Sequence, residues 1–109
     1  MPDIIEPQLK KGVLALCVLA LLSRADGYAY DIASRLASAI DMGEGTIYPL
    51  MRRLQGDGLV ETYLVESPAG PPRKYYRLTE AGRASFIQQK TDWTAFSSAV
   101  NNIILGEGQ

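Results

Sequence analysis

The 109-residue chain contains no histidine. That removes the commonest side-chain acid–base and the commonest metal ligand. Serine–histidine and cysteine–histidine nucleophile systems are closed to it. Cysteine is nearly as scarce: Cys17 stands alone, inside an apolar run. One thiol cannot close a disulfide within the chain, so nothing calls for an oxidising compartment. With no histidine to pair with and an apolar setting, Cys17 reads as a small buried hydrophobe rather than a reactive thiol. The acidic residues are scattered, with no carboxylate pairing to be read. No catalytic residue, metal site or cofactor is expected.

A membrane-length apolar run is also missing. Residues 13–22 are wholly apolar, but a bilayer span needs ~20 residues. The run follows Lys10 and Lys11, as the core of a signal peptide would. It lacks a cleavage site and suits the core of a domain, so it is read as buried. The expectation is a cytoplasmic protein with no membrane partner. Charge of one sign is lacking too: the net charge is −1 and the pI about 5.3. That argues against coating a polyanion over the whole surface, yet it leaves room for a local basic patch. Apolar residues at 47% and charged residues at 21% fit one globular domain. A domain this small gains by sharing a core with a partner chain.

What is present is a run of amphipathic segments. Residues 1–8, MPDIIEPQ, hold two prolines and read as a loose arm. A first helix is predicted from Leu9 to Ser23, apolar nearly all round and so buried on most sides. RADGY (24–28) reads as a turn, with Asp26 as the N-cap of a second helix running to Ile40. Ala29, Ile32, Ala33, Leu36 and Ile40 give that helix one apolar face, and Tyr30, Ser34 and Arg35 fall away from it. DMGEG (41–45) is the next break.

The stretch GEGTIYPLMRRL (43–54) then raises a question of purpose. Ile47, Leu50, Met51 and Leu54 bury one side of a third helix. At about 100° per residue the opposite side carries Gly45, Pro49 and Arg52, flanked by Tyr48 and Arg53. Pro49 lacks an amide hydrogen and must weaken or kink the helix near its start. GDG (56–58) ends it. LVETYLVE (59–66) and RKYYRLT (73–79) read as strands of a hairpin around the SPAGPP turn. Thr79 is the expected N-cap of a last helix, about Glu80 to Leu105 and roughly 39 Å long. Its apolar stripe is heptad-like, with Phe86, Trp93 and Val100 in one series and Phe96 and Ile103 in the other. A second copy of the chain is expected to cover that seam; the other reading has the helix fold back over the first helix of its own chain.

Three helices followed by a hairpin, with a short glycine-containing turn between the second and third, form a winged helix-turn-helix. The third helix would enter the major groove. Gly43, Gly45 and Thr46 are small enough for close approach. The Thr46 and Tyr48 hydroxyls can meet phosphates or base edges, and Arg52 and Arg53 can pair with phosphate or guanine. Between Thr46 and Arg77 there are five basic and three acidic residues, so this segment is locally positive.

The blocks KKGVLALCVLALLSRADGYAYDI, EGTIYPLMRRLQGDGLVETY and GPPRKYYRLTEAGR, in this order, closely resemble the PadR family of bacterial transcriptional regulators. The likeness covers most of residues 9–105. The short C-terminal part looks like the smaller subfamily with a single dimerisation helix. The resemblance implies a mainly α fold with a small β-hairpin. Residues 1–79 would be the DNA-binding domain and 80–109 the dimerisation helix. It implies a homodimeric repressor on a palindromic double-stranded operator, released by a small aromatic or drug-like inducer. Tyr30 would meet backbone phosphate. Thr46, Tyr48, Pro49, Arg52 and Arg53 would lie on or beside the recognition surface. Arg73 and Lys74 would sit at the wing near the minor groove. In some relatives an aromatic of the last helix lines a flat drug pocket at the dimer centre. Trp93 resembles it, with Phe96 beside it; their other reading is interface packing. Ala29 stands where the family often has glycine. The alternative function is a winged-helix protein-interaction module that has lost DNA binding.

Overall fold

In the computed structural model, residues 13–106 are described. They form α1 (Leu14–Arg24), β1 (Gly27–Tyr28), α2 (Ala29–Ile40), α3 (Glu44–Gly56), β2 (Val60–Ser67), β3 (Gly70–Leu78) and α4 (Glu80–Leu105). The expected arm at 1–8 and the start of the first helix at 9–12 lie outside the described residues, as do 107–109.

The core sits where the first three helices meet one face of the sheet. Leu14, Val18, Leu19 and Leu22 enter from α1, and Ile32, Ala33 and Leu36 from α2. Ile47, Leu50, Met51 and Leu54 enter from α3, the four residues whose spacing predicted a buried stripe. Val60, Tyr76 and Leu78 close the core from the sheet. Burying each Leu, Ile or Met side chain stabilises the fold by about 1.5–3 kcal/mol. Cys17 packs half-buried against this core, and burial pushes its thiol pKa up, as expected for an apolar site.

The helix-turn-helix corner is tight. Asp41 closes α2 in the left-handed conformation, φ 58°. Its amide bonds Ala37 O at 3.1 Å, and the Met42 amide reaches Leu36 O at 3.3 Å. The first is the bond of an αL stop, the second adds a bond from the next residue, and the Met42 side chain is buried in the core beside them. Gly43 then serves as the N-cap of α3. Helix α3 runs unbroken through Pro49. At its far end Gly58, φ 77°, lets the chain turn into β2, with its amide on Gln55 O at 3.0 Å.

The sheet is antiparallel in the order β1-β3-β2. Its first strand was not expected. Residues 24–28 have the sequence of a turn, but Gly27 pairs with Tyr76 and Tyr28 with Tyr75. Asp26 is not an N-cap either. That position falls to Tyr28, without a side-chain cap, because the strand occupies the two residues before α2. The hairpin is tighter than SPAGPP suggested, since β2 reaches Ser67 and β3 begins at Gly70. Pro71 and Pro72 fit because the register shifts between Val65 and Ser67, beside them. A residue without an amide hydrogen is tolerated at such an irregularity.

Thr79 caps α4 as predicted, its hydroxyl oxygen accepting from the Gly82 amide at 3.0 Å. Gly82 is buried, and a methyl there would be driven into the carbonyl oxygen of Leu59. A backbone atom at a strand start cannot swing aside. Gly82→Ala should therefore destabilise the fold by about 1–3 kcal/mol, read as a lowered midpoint in urea denaturation with an unchanged slope.

Candidate nucleic-acid interface

The exposed side of α3 is built by what the core leaves out. With Ile47, Leu50, Met51 and Leu54 turned inward, Gly45, Thr46, Pro49, Arg52 and Arg53 are exposed. Tyr48 is half-buried at the edge of this surface, packed against the core. Arg52 also bears on the sheet. Burial raises the pKa of the Tyr76 phenol, and the positive charge of Arg52 partly opposes that rise.

Neither Gly43 nor Gly45 has a left-handed backbone, and a Cβ at either would meet nothing. Glycine is a natural N-cap at position 43, but inside the first turn at 45 it has no internal reason. Its lack of a side chain leaves the outer surface flat beside Thr46.

At the wing the structure separates two residues that the sequence placed side by side. Neighbours on a strand point to opposite faces. Arg73 shares the outer face of β3 with Tyr75 and Arg77, while Lys74 shares the other with Tyr76 and Leu78. Both are exposed. The Arg73 guanidinium lies over the Tyr28 ring, 4.9 Å from its centroid. Tyr30, 55% exposed at the start of α2, stands 6.4 Å from the same ring.

The outer face of the sheet carries a row of aromatic rings. Tyr28 stacks on Tyr75 at 5.8 Å, and Tyr75 on Tyr63 at 5.9 Å. Arg77 covers Tyr63 at 4.8 Å and bonds Glu61 at 2.8 Å. The Tyr63 hydroxyl donates to Asp26 at 2.6 Å, which ties β2 across β3 to the approach of β1. Sequence reasoning missed this row. The register that aligns Tyr63, Tyr75 and Tyr28 depends on β1, which the sequence does not announce.

Trp93 and Phe96 come together midway along α4, against the start of α1. They line a recess of about 290 Å³ with Val13, Leu16, Gln89 and Asp92. Asp92 was not anticipated there. It stands next to Trp93 in the chain and accepts from Gln88 at 3.0 Å. The first turns of α4 lie along the body of their own chain, through Gly82 and Phe86. Farther on the apolar stripe is bare, with Phe96 64% and Ile103 80% exposed. Folding back over α1 thus covers only the beginning of the seam.

A family model described as the PadR-like family of transcriptional regulators matches residues 18–88, from within α1 through the hairpin to the first turns of α4. The chain belongs to the PadR-like family. Among solved structures, a PadR-like transcriptional regulator from Bacillus cereus is 38% identical, with a TM-score of 0.83 over 92% of this chain and 99% of that one. A PadR-like transcription factor from Bacteroides fragilis is 41% identical, with a TM-score of 0.74 over 89% and 95%. A Bacillus subtilis PadR in complex with operator DNA shares the fold at 24% identity, with a TM-score of 0.63 over 75% of this chain and 46% of that chain. Among the described residues, no helix of this PadR-like regulator is long and apolar enough to cross a membrane.

The Asp26 bond has a measurable signature. A carboxylate that accepts from the neutral phenol favours the protonated form, so Tyr63 titrates above its ordinary range, with desolvation adding to the effect and Arg77 opposing it. Asp26→Ala should bring the Tyr63 pKa down toward that of a free tyrosine. An NMR titration of the tyrosine ring carbons checks this, and the same pKa in both proteins would mean the bond is absent in solution.

Proposed function

We propose that the chain is a dimeric, sequence-specific repressor. Its third helix reads the major groove of a palindromic operator, and a planar aromatic or drug-like ligand bound at Trp93 and Phe96 releases it. Residues 1–79 form the DNA-reading unit and 80–109 the dimerisation segment, built on α4.

One observation carries the DNA reading. Glycine at position 45 of α3 costs helix stability and answers no internal packing or backbone demand. A surface kept flat at that expense suits a partner whose backbone must come close, and Thr46, Arg52 and Arg53 beside it supply donors for one. The Bacillus subtilis relative on operator DNA offers a precedent for the fold. For the dimer, the support is the bare stripe of α4, whose Phe96, Ile103, Ile104 and Leu105 side chains are all more than half exposed. Monomeric proteins rarely leave such a face to water.

The first test is fluorescence anisotropy with labelled duplex from upstream of the chain's own gene, against a scrambled duplex, over a range of salt concentrations. Tight binding to the first with a steep salt dependence supports the reading. Equal, weak binding to that duplex, its scrambled control and a pool of random duplexes would favour a protein-interaction module. Gly45→Ala separates function from fold. It should stabilise the protein by about 0.4–1 kcal/mol while weakening binding to the specific duplex; unchanged binding would remove the close-approach argument. For the dimer, Phe96→Asp places a charge in the apolar seam. It should convert the protein to monomer in sedimentation velocity without unfolding it.

A further inference from the structure

The wing cation Arg73 has an unusual setting. Among the described residues it has no carboxylate partner, whereas Arg77, two positions along the same face, is paired with Glu61. Arg73 is instead held on an aromatic ring, 4.9 Å from the Tyr28 centroid. That ring is not a loose surface group. It is half-buried, belongs to β1, and is backed by Tyr75 at 5.8 Å. Tyr75 is backed in turn by Tyr63, which Asp26 fixes through the hydroxyl. Tyr28 also lines the polar recess of about 370 Å³ at the hairpin tip, with Ser67, Arg73 and Lys74.

Two features follow from this placement. A guanidinium on a hairpin loses much rotamer freedom when it binds phosphate, and a ring that already holds it removes part of that loss. Tyr28 also touches Tyr30, so one ring contacts both the wing cation and the exposed tyrosine at the start of α2.

We propose that Tyr28 is a positioning residue for DNA binding: its ring holds the Arg73 guanidinium back from the hairpin tip and beside Tyr30, so that both meet the same stretch of phosphate backbone. This rests on the DNA-binding reading above. Tyr28 acts through Arg73, and its own hydroxyl is not required.

The test is a double-mutant cycle in the full chain, read by anisotropy on the upstream duplex over a range of salt. Tyr28→Phe should bind as the wild type does. Tyr28→Leu should weaken binding about two- to fivefold, the worth of an exposed cation–π contact. Arg73→Ala should weaken it more and flatten the salt slope by about 0.9, one phosphate. The double variant should bind like Arg73→Ala alone. Equal losses from Tyr28→Leu with and without Arg73 would overturn the proposal. The Arg73 δ-protons give a readout without DNA: the Tyr28 ring current should shift them upfield, and Tyr28→Leu should abolish the shift. If the shift is present but wild type does not prefer the specific duplex, the DNA reading has failed and the positioning role with it. If wild type binds specifically but the shift is absent, the positioning proposal alone has failed. Should Tyr28→Leu not fold, Arg73→Lys poses the same question. It keeps the charge and loses the stacking plane, so it should bind more weakly with an unchanged slope, and wild-type affinity would overturn the proposal.

Discussion

The geometry of the molecule hinges on Thr79. Its hydroxyl donates to Gly58 O at 2.6 Å and accepts from the Gly82 amide at 3.0 Å, while its own amide bonds Leu59 O at 3.1 Å. Gly58 and Leu59 are the residues by which α3 turns into β2. Gly82 is in the first turn of α4. One residue therefore joins the end of the proposed reading helix, the root of the wing and the start of the long helix. The bare Cα of Gly82 lets the helix lie against the Leu59 carbonyl. Every residue proposed to meet DNA lies on one side of this joint, and every residue proposed to meet ligand or a second chain lies on the other.

Much of this arrangement was legible because it is local. The N-cap at Thr79 needs only a threonine before a helix, and the stop at Gly58 needs only a glycine after one. The buried stripe of α3 follows from its period. What escaped depended on partners distant in sequence. Gly27 and Tyr28 become a strand only because β3 lies alongside them. That pairing turns Asp26 from a presumed cap into the acceptor for Tyr63, 37 residues away. The adjacent basic residues at 73 and 74 read as one patch until the pleat sends them to opposite faces. The Trp93 recess needed the position of α1 as well as of α4, so Asp92 gave no sign of itself.

The acidic total and the proposed DNA grip are compatible once neutralised charges are set aside. Arg77 is engaged by Glu61 on the outer face of the sheet, where it serves the aromatic row. Arg52 and Arg53 on α3, and Arg73 and Lys74 on the wing, have no carboxylate partner among the described residues. A field that is positive over one face suffices for association with a polyanion, because screening confines each charge to its neighbourhood.

In the proposed dimer, the two α3 helices would be spaced by the crossing of the two α4 helices. A helix-turn-helix dimer needs that spacing to match half-sites about 34–36 Å apart. The recess at Trp93 and Phe96 lies on the same helix as the seam, roughly three turns beyond Gly82 at 3.6 residues per turn. A ligand wedged there would act on the crossing and leave the reading surface untouched. The joint at Thr79 is short and held by three hydrogen bonds, so it would transmit a change in α4 direction to α3 with little loss. A flexible linker at the same place would absorb the change. Stiffness at Thr79 and bareness along α4 are therefore complementary: the one makes the separation of the reading helices definite, and the other makes it adjustable.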